Sequence, residues 1–125
     1  MRVALLYPPP WKVALPDEPA YAVGGPAAEY PQGDLDADFY QTPYGLFALG
    51  AIAKRAGHEV KVINLSNFAW SRVLEVIGDL SADVYGLSCW TANRRGVVEA
   101  VRAIKALKPS AIVVVGGPHA TPLPK

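Results

Sequence analysis

Three short segments carry the residue types best suited to contacting a ligand. They are YPPPW (residues 7–11), SCWTANRR (residues 88–95) and GGPHAT (residues 116–121), and each closes an apolar run. They combine glycine and proline with small hydroxyl groups and aromatic rings. Glycine lets a ligand approach the backbone closely, and hydroxyl groups offer hydrogen bonds without charge. This pattern indicates a site for a large and mostly neutral ligand.

The same segments predict no catalytic and no metal-binding side chain. Cys89 is the only cysteine, so the chain has no internal disulfide and too few thiols for an iron–sulfur cluster or a structural zinc site. His119 is interpreted as a hydrogen-bonding loop residue rather than a metal ligand, and His58 is assigned no role. Because no nucleophile–base or acid–base pair can be identified, an independent small-molecule enzyme is disfavoured.

Composition narrows the choice of partners. Twelve Lys and Arg side chains against eleven Asp and Glu give a net charge of +1, without the basic face that nucleic acids require. No apolar segment approaches the roughly 18 residues of a membrane span, and no signal-peptide pattern opens the chain. We therefore expect one cytoplasmic domain that binds neither nucleic acid nor membrane.

Four short apolar runs predict strands, and the first lacks polar alternation, as expected for a strand buried on both faces. They are residues 2–7, 58–65, 82–90 and 111–117. The second run alternates at its start, which places it nearer a sheet edge.

Three helices are predicted between these strands. The first has Thr42 as its N-cap, Pro43 as its first helical residue and Gly57 as its stop. The second covers about residues 70–80, and the third runs from about Arg94 to Leu107 after Thr91 or Asn93 as N-cap. Their expected core stripes are Leu46, Leu49, Ile52 and Ala53; Val73, Leu74, Ile77 and Leu80; and Val97, Val101, Ile104 and Leu107.

Alternating strands and helices predict an α/β fold with a parallel sheet covered on both faces. The most economical topology is a flavodoxin-like (Rossmann-like) three-layer sandwich with strand order 2-1-3-4, normally completed by a fifth strand. Without that strand, the apolar fourth strand would form an unprotected edge. We therefore expect residues 1–125 to be a fragment of a longer chain.

The segment from residue 8 to residue 41 is far longer than the roughly 2–6 residues usual between strand and helix. It is rich in proline and glycine, yet it also contains five aromatic residues. A disordered insertion and a lid or partner-facing loop are both consistent with this composition.

In such a sheet the ligand site lies beyond the carboxyl ends of the strands, where the three segments converge. Several common ligands are excluded there. No G-x-G-x-x-G follows a strand, which argues against a dinucleotide. Three prolines after the first strand lack the N–H donors of a flavin phosphate loop. A phospho-acceptor domain would need acidic residues where Tyr7 and Ser88 stand.

The segments RVALLYPPPW, PYGLFALGAIAKRAGHEVKVIN, ADVYGLSCWTAN and IVVVGGPHATPLP together resemble the N-terminal cobalamin-binding domain of cobalamin-dependent radical S-adenosylmethionine enzymes. These enzymes include the anaerobic Mg-protoporphyrin monomethyl ester cyclase type. The resemblance covers nearly the whole chain except about residues 14–41. It implies a flavodoxin-like domain that holds cobalamin above the strand ends, with the nucleotide tail beside strands 3 and 4.

The resemblance also implies roles for individual residues. Ser88 and Thr91 would offer hydroxyl groups to the tail or to the corrin amides, although both could instead cap a helix. Gly116 and Gly117 would leave room for the tail, or form an ordinary tight turn. The small residues Gly45, Ala48 and Gly50 of the first helix would line the same groove. The full set of implied cofactor-binding residues is Tyr7, Pro8, Pro9, Trp11, Gly45, Ser88, Trp90, Thr91, Asn93, Gly116, Gly117, His119 and Thr121.

One departure concerns the cobalt ligand. Cobalamin-dependent mutases and methionine synthases carry D-x-H-x-x-G after the first strand, whereas this chain has YPPPW. Histidine ligation from that loop is therefore excluded, while Tyr7 and Trp11 could cover the lower corrin face or simply pack.

The resemblance further implies that catalysis resides elsewhere. A downstream radical S-adenosylmethionine barrel in the parent chain would bind S-adenosylmethionine and a four-iron cluster, and would perform methyl transfer or oxidative cyclisation. The alternative is a non-catalytic interaction domain that kept the fold and lost cobalamin.

Overall fold

The computed structural model describes residues 1–10, 42–66 and 68–122. Four strands and three helices alternate along this part of the chain. In order they are β1 (Arg2–Tyr7), α1 (Tyr44–Arg55), β2 (Glu59–Asn64), α2 (Trp70–Asp79), β3 (Val84–Ser88), α3 (Arg94–Leu107) and β4 (Ile112–Gly116). All seven predicted elements are present, and β2, β3 and β4 are shorter at their ends than their apolar runs suggested.

The strands form one parallel sheet in the order β2-β1-β3-β4, as predicted. Within the described residues, β2 and β4 are its two edges. The register aligns Leu5 with Val62 and with Gly86, and Gly86 with Val114. Because side chains alternate along a strand, these four residues share one face of the sheet. The α/β flavodoxin-like class is confirmed.

The two faces of the sheet are covered unequally. Helices α2 and α3 pack together on one face and enclose the main core, whose largest members include Trp70, Tyr85, Ile77 and Ile104. Helix α1 covers the other face alone, where Leu46 packs with Leu5 and Tyr7. It lies over β2 and β1. The surface of β3 and β4 on that face has no helix among the described residues.

The start and the packing face of α1 differ from the prediction. Pro43 is the N-cap rather than the first helical residue, and no side chain caps this end. Leu49 and Ile52 are exposed instead of buried. Gly50 makes the close contact, since a Cβ there would lie 2.9 Å from Val62 Cγ2. The helix thus approaches the sheet through its smallest residue, which turns the leucine–isoleucine side away from β2.

The other helix ends are closer to expectation. Gly57 ends α1 with φ of 88°, a conformation that favours glycine. Asn93 is the N-cap of α3, although its side chain makes no capping hydrogen bond. Leu74 and Leu107 were predicted as core but are exposed, because each lies at the margin of its apolar stripe. Lys108 Nζ donates to the carbonyl of Ile77 and so ties α3 to the end of α2.

Candidate functional site

A groove of about 970 Å³ lies on the α1 face of the sheet. Its walls are the flank of α1 and the uncovered surface of β3 and β4, and it reaches the carboxyl ends of the strands. The residues that line it are Leu5, Tyr7, Thr42, Pro43, Tyr44, Gly45, Leu46, Leu49, Ile52, Ala53, Ala56, His58, Val84, Gly86, Leu87, Ser88, Trp90, Val114, Gly116, Gly117 and Pro118. The groove exists because α1 spans only half of the sheet.

The lining is hydrocarbon with few polar groups. Among the described residues that line it there is no Asp, Glu, Lys or Arg. Hydroxyl groups come from Tyr7, Thr42, Tyr44 and Ser88 near the strand ends, and His58 contributes an imidazole next to the start of β2. A groove of this size and chemistry suits a large neutral ligand, because apolar walls with a few polar groups are typical of small-molecule sites.

Gly116 and Gly117 serve different purposes at the end of β4. A Cβ on Gly116 would meet no atom within 4 Å, so its lack of a side chain leaves open space in the groove. Gly117 has φ of 107°, and a Cβ there would lie 2.8 Å from the Cys89 carbonyl oxygen. Gly117 is therefore required by the backbone, whereas Gly116 provides room for a ligand.

Tyr7 and Ser88 bring their side chains to the same groove. Tyr7 is buried at the end of β1, and this burial raises the pKa of its phenol, which keeps it neutral. Ser88 pairs with Gly116 in the β3–β4 register. Its hydroxyl makes no hydrogen bond with another of the described residues, so it is available to a ligand.

Trp90 and Gly45 complete the predicted residues that reach the groove. The Trp90 ring is partly exposed, while its backbone N–H donates to Asn93 Oδ1 at 2.7 Å. Gly45 lies in the first turn of α1, where a Cβ would meet nothing within 4 Å. The structure thus assembles Tyr7, Gly45, Ser88, Trp90, Gly116 and Gly117 around one space.

Pro8, Pro9 and Asn93 lie away from the groove. Asn93 is fully buried, and its Nδ2 donates to the carbonyl oxygens of Pro8 at 2.9 Å and Ser88 at 3.2 Å. Together with its bond from Trp90, these contacts tie the end of β1 to the end of β3. The polar groups of Asn93 are used within the protein and are not directed at a ligand.

Trp70 and Gly96, for which no role was predicted, contact Pro10 and Pro9 of the proline segment, residues 8–10. Trp70 Nε1 donates to the Pro10 carbonyl at 3.0 Å. A Cβ on Gly96 would overlap the Pro9 carbonyl oxygen, so only glycine permits this approach to α3. The sequence signalled neither contact, because Trp70 and Gly96 both fit an ordinary helix pattern.

Thr91, His119 and Thr121 belong to the loops above β3 and β4 but do not line the groove. Thr91 Oγ1 and His119 Nδ1 are 3.1 Å apart, within hydrogen-bonding distance. The His119 backbone N–H donates to the Cys89 carbonyl at 3.0 Å, and Thr121 bonds the Gly117 carbonyl through its own backbone. Trp11 lies outside the described residues.

For several groove residues the sequence predicts another position or no role in a ligand site. Leu49 and Ile52 were expected in the core, Val84 and Val114 were treated only as strand residues, and His58 was assigned no role. Hydrophobic periodicity cannot separate a side chain that packs in a core from one that lines a ligand groove. No signal in the sequence would have identified these residues.

Clusters of metal-ligating side chains and membrane-spanning helices are both absent from the described residues. They contain no group of three or more His, Cys, Asp or Glu side chains able to hold a metal ion. Burial raises the pKa of the Cys89 thiol, which keeps it protonated and unreactive. Within residues 1–10, 42–66 and 68–122, no helix combines the length and the hydropathy needed to cross a bilayer.

Comparison with known proteins gives one match. A family model described as the B12 binding domain matches residues 34–125, a range that includes every described element except β1. No curated protein and no solved structure gives a significant match to the chain.

Proposed function

Because the chain belongs to the B12-binding domain family, we propose that it binds cobalamin and receives the nucleotide tail in the groove beside α1. The observation that carries this proposal is the uncharged groove that opens at Gly116, at the carboxyl ends of the strands. Ligands of open parallel sheets bind at this edge.

The groove residues fit such a ligand. The tail of cobalamin ends in an aromatic base, which suits the walls formed by Leu49, Ile52 and Val114. The hydroxyl groups of Thr42 and Ser88 can hydrogen-bond the more polar part of the tail. Since no cationic side chain is found among the described lining residues, this interior suits the base better than the phosphate. Tyr7 and Trp90 can contact the ligand through their rings.

No residue is proposed as a ligand of cobalt. His119 is hydrogen-bonded to Thr91 and does not line the groove, while His58 lies beside the start of β2. Bound cobalamin would supply a cobalt centre for methyl-group transfer or for a radical step. The role of this chain is to bind and orient the cofactor, and to exclude water from its tail.

We further propose that the domain serves a radical S-adenosylmethionine enzyme of the methyltransferase or cyclase class. The resemblance of its ordered segments to that group supports this assignment. Cys89 is a single buried thiol, so the three cysteines that hold a four-iron cluster would come from a separate catalytic domain. S-adenosylmethionine would bind to that domain as well.

Retention of hydroxocobalamin tests cobalamin binding. The protein is incubated with hydroxocobalamin and desalted, and its visible spectrum is recorded; we expect corrin absorbance to stay with the protein. Gly116→Leu should reduce retention at least tenfold, because the new side chain would fill open space in the groove. Val115→Leu is the matched control, since Val115 is next in sequence but lies on the opposite face of β4.

Two outcomes would contradict the proposal. If the folded protein retained no corrin, a non-catalytic interaction domain would become the better interpretation. If Gly116→Leu and Val115→Leu retained equal amounts, the tail would not occupy the groove.

A further inference from the structure

The middle of the groove differs chemically from its two ends. Its walls there are Leu49, Ile52 and Ala53 of α1 on one side and Val84, Gly86 and Val114 of the sheet on the other. Leu49 is 56%, Ile52 55% and Val114 55% exposed, so these side chains are free to contact a ligand. None of them can form a hydrogen bond.

Backbone groups do not supply the hydrogen bonds that the side chains in the middle of the groove lack. The N–H and C=O groups of β3 are engaged with β1 on one side and β4 on the other. Those of β4 that do not pair with β3 point outward in the plane of the sheet, not over the face that lines the groove. In α1 the backbone groups are satisfied within the helix. Among the described lining residues, hydrogen-bonding side chains lie only at the ends: near the strand ends these are Tyr7, Thr42, Tyr44, Ser88 and Trp90, and beside the start of β2 there is His58.

We infer that the groove selects corrinoids by their lower base, and prefers an apolar benzimidazole to a purine. This inference rests on the proposed function. The methyl groups and ring carbons of dimethylbenzimidazole would contact the hydrocarbon walls. Adenine would bring an exocyclic amine and additional ring nitrogens, whose hydrogen bonds to water would be lost without replacement. The single imidazole of His58 cannot satisfy all of these groups.

The expected preference is at least tenfold, which corresponds to about 1.4 kcal/mol. This follows from the loss of at least one hydrogen bond by a polar atom held against the walls. The same argument predicts which substitution weakens the preference. Ile52→Gln would place an amide in the middle of the groove, able both to donate and to accept hydrogen bonds.

Titration of three corrinoids tests the inference. They are cobalamin, its analogue with adenine as lower base, and cobinamide, which lacks the nucleotide tail. All are compared in the fully reduced state, in which cobalt holds no axial base. The strength of the cobalt–base bond therefore does not affect the measured affinities. Leu107→Gln is the matched control for Ile52→Gln, because Leu107 is 57% exposed but lies on α3 at the other face.

We expect cobalamin to bind at least tenfold more tightly than the adenine analogue, and more tightly than cobinamide. Ile52→Gln should reduce the preference for cobalamin severalfold, whereas Leu107→Gln should leave it unchanged. Equal affinity for the two bases, or a preference that Ile52→Gln does not alter, would overturn the inference while leaving cobalamin binding intact. Equal binding of cobalamin and cobinamide would overturn it too, by showing that the tail stays outside the groove. Failure of all three to bind would remove the proposed function and this inference together.

Discussion

Asn93 shows how one side chain can organise the site without entering it. Its amide donates to the carbonyl groups of Pro8 and Ser88 and accepts from the Trp90 N–H. The first strand, the third strand and the start of α3 therefore meet at one fully buried side chain. Ser88 and Trp90 line the groove, so their positions depend on this contact.

We predict that Asn93→Ala lowers the free energy of unfolding by about 2–4 kcal/mol, because it leaves buried polar groups without partners. Urea denaturation monitored by circular dichroism measures the change. Arg95→Ala is the control, since Arg95 is exposed on α3, and its effect should stay within about 0.5 kcal/mol. A loss below about 1 kcal/mol for Asn93→Ala would show that these hydrogen bonds do not hold the strand ends together.

Four glycine residues have different structural roles. Each could be taken for an ordinary turn or helix residue, yet the absence of a side chain matters for a different cause at each position. Gly50 lets α1 approach Val62, Gly96 admits the Pro9 carbonyl, Gly117 adopts a positive φ, and Gly116 faces open space. Of these four residues, only Gly116 leaves open space in the groove.

Arg2 and Asp83 join the amino-terminal ends of β1 and β3. These ends lie at the edge of the sheet opposite the groove mouth. The Arg2 backbone N–H donates to Asp83 Oδ2 at 2.8 Å, and its guanidinium contacts Asp83 Oδ1 at 3.0 Å. These contacts, the backbone hydrogen bond above all, lower the pKa of the Asp83 carboxyl below its ordinary value of 3.8. Both side chains are partly exposed, so water screens the ion pair.

A carboxyl group whose pKa is lowered by folding stabilises the protein above its unfolded pKa. That contribution disappears as the pH falls through the folded pKa. We therefore predict that Asp83→Asn lowers Tm at pH 6, and that the difference from the unsubstituted protein shrinks as the pH falls below about 4. Thermal unfolding between pH 2.5 and pH 6 measures this.

Glu75→Gln provides the comparison for Asp83→Asn. Glu75 forms an exposed ion pair with Arg72 within one turn of α2, and such pairs contribute little to stability. Its substitution should change Tm only slightly at pH 6. If the Asp83→Asn difference were constant over the whole pH range, the charge of Asp83 would not be the cause.

For the whole molecule, the outstanding feature is the unequal cover of the sheet. Two helices enclose one face, while on the other face no helix among the described residues covers the surface of β3 and β4. Ile112 and Val114 are exposed there, opposite Leu49 and Ile52 of α1. A contiguous apolar surface of this kind marks a binding site in a folded protein.

We predict that the native protein enhances the fluorescence of the apolar dye ANS, and that hydroxocobalamin reduces it by occupying the groove. Near-ultraviolet circular dichroism must show native packing, because partly unfolded states also bind the dye. Cobinamide controls for the light absorbed by the corrin, and it should displace less dye because it has no tail. Equal displacement by both corrinoids, or native protein that binds no dye, would contradict this prediction.

The seven elements, their order along the chain and the parallel sheet can all be predicted from the sequence alone. Runs of buried strand residues, helix stripes, Gly57 and the short crossovers are local features, and local sequence specifies them. The ordered glycine and hydroxyl segments also led to the cobalamin-binding family. That resemblance assigns Ser88 and Gly116 to the cofactor site, and the β3–β4 register pairs these two residues.

Which side of each element faces the groove follows from tertiary packing and not from local sequence. Leu46 and Leu49 are alike in sequence, yet one is buried against β1 and the other lines the groove, because Gly50 sets the orientation of α1. Asn93 was expected to contact the cofactor, but its side chain is buried and hydrogen-bonds backbone groups of Pro8, Ser88 and Trp90. Such outcomes depend on contacts between residues far apart in the chain, and hydrophobic or polar character alone does not specify those contacts.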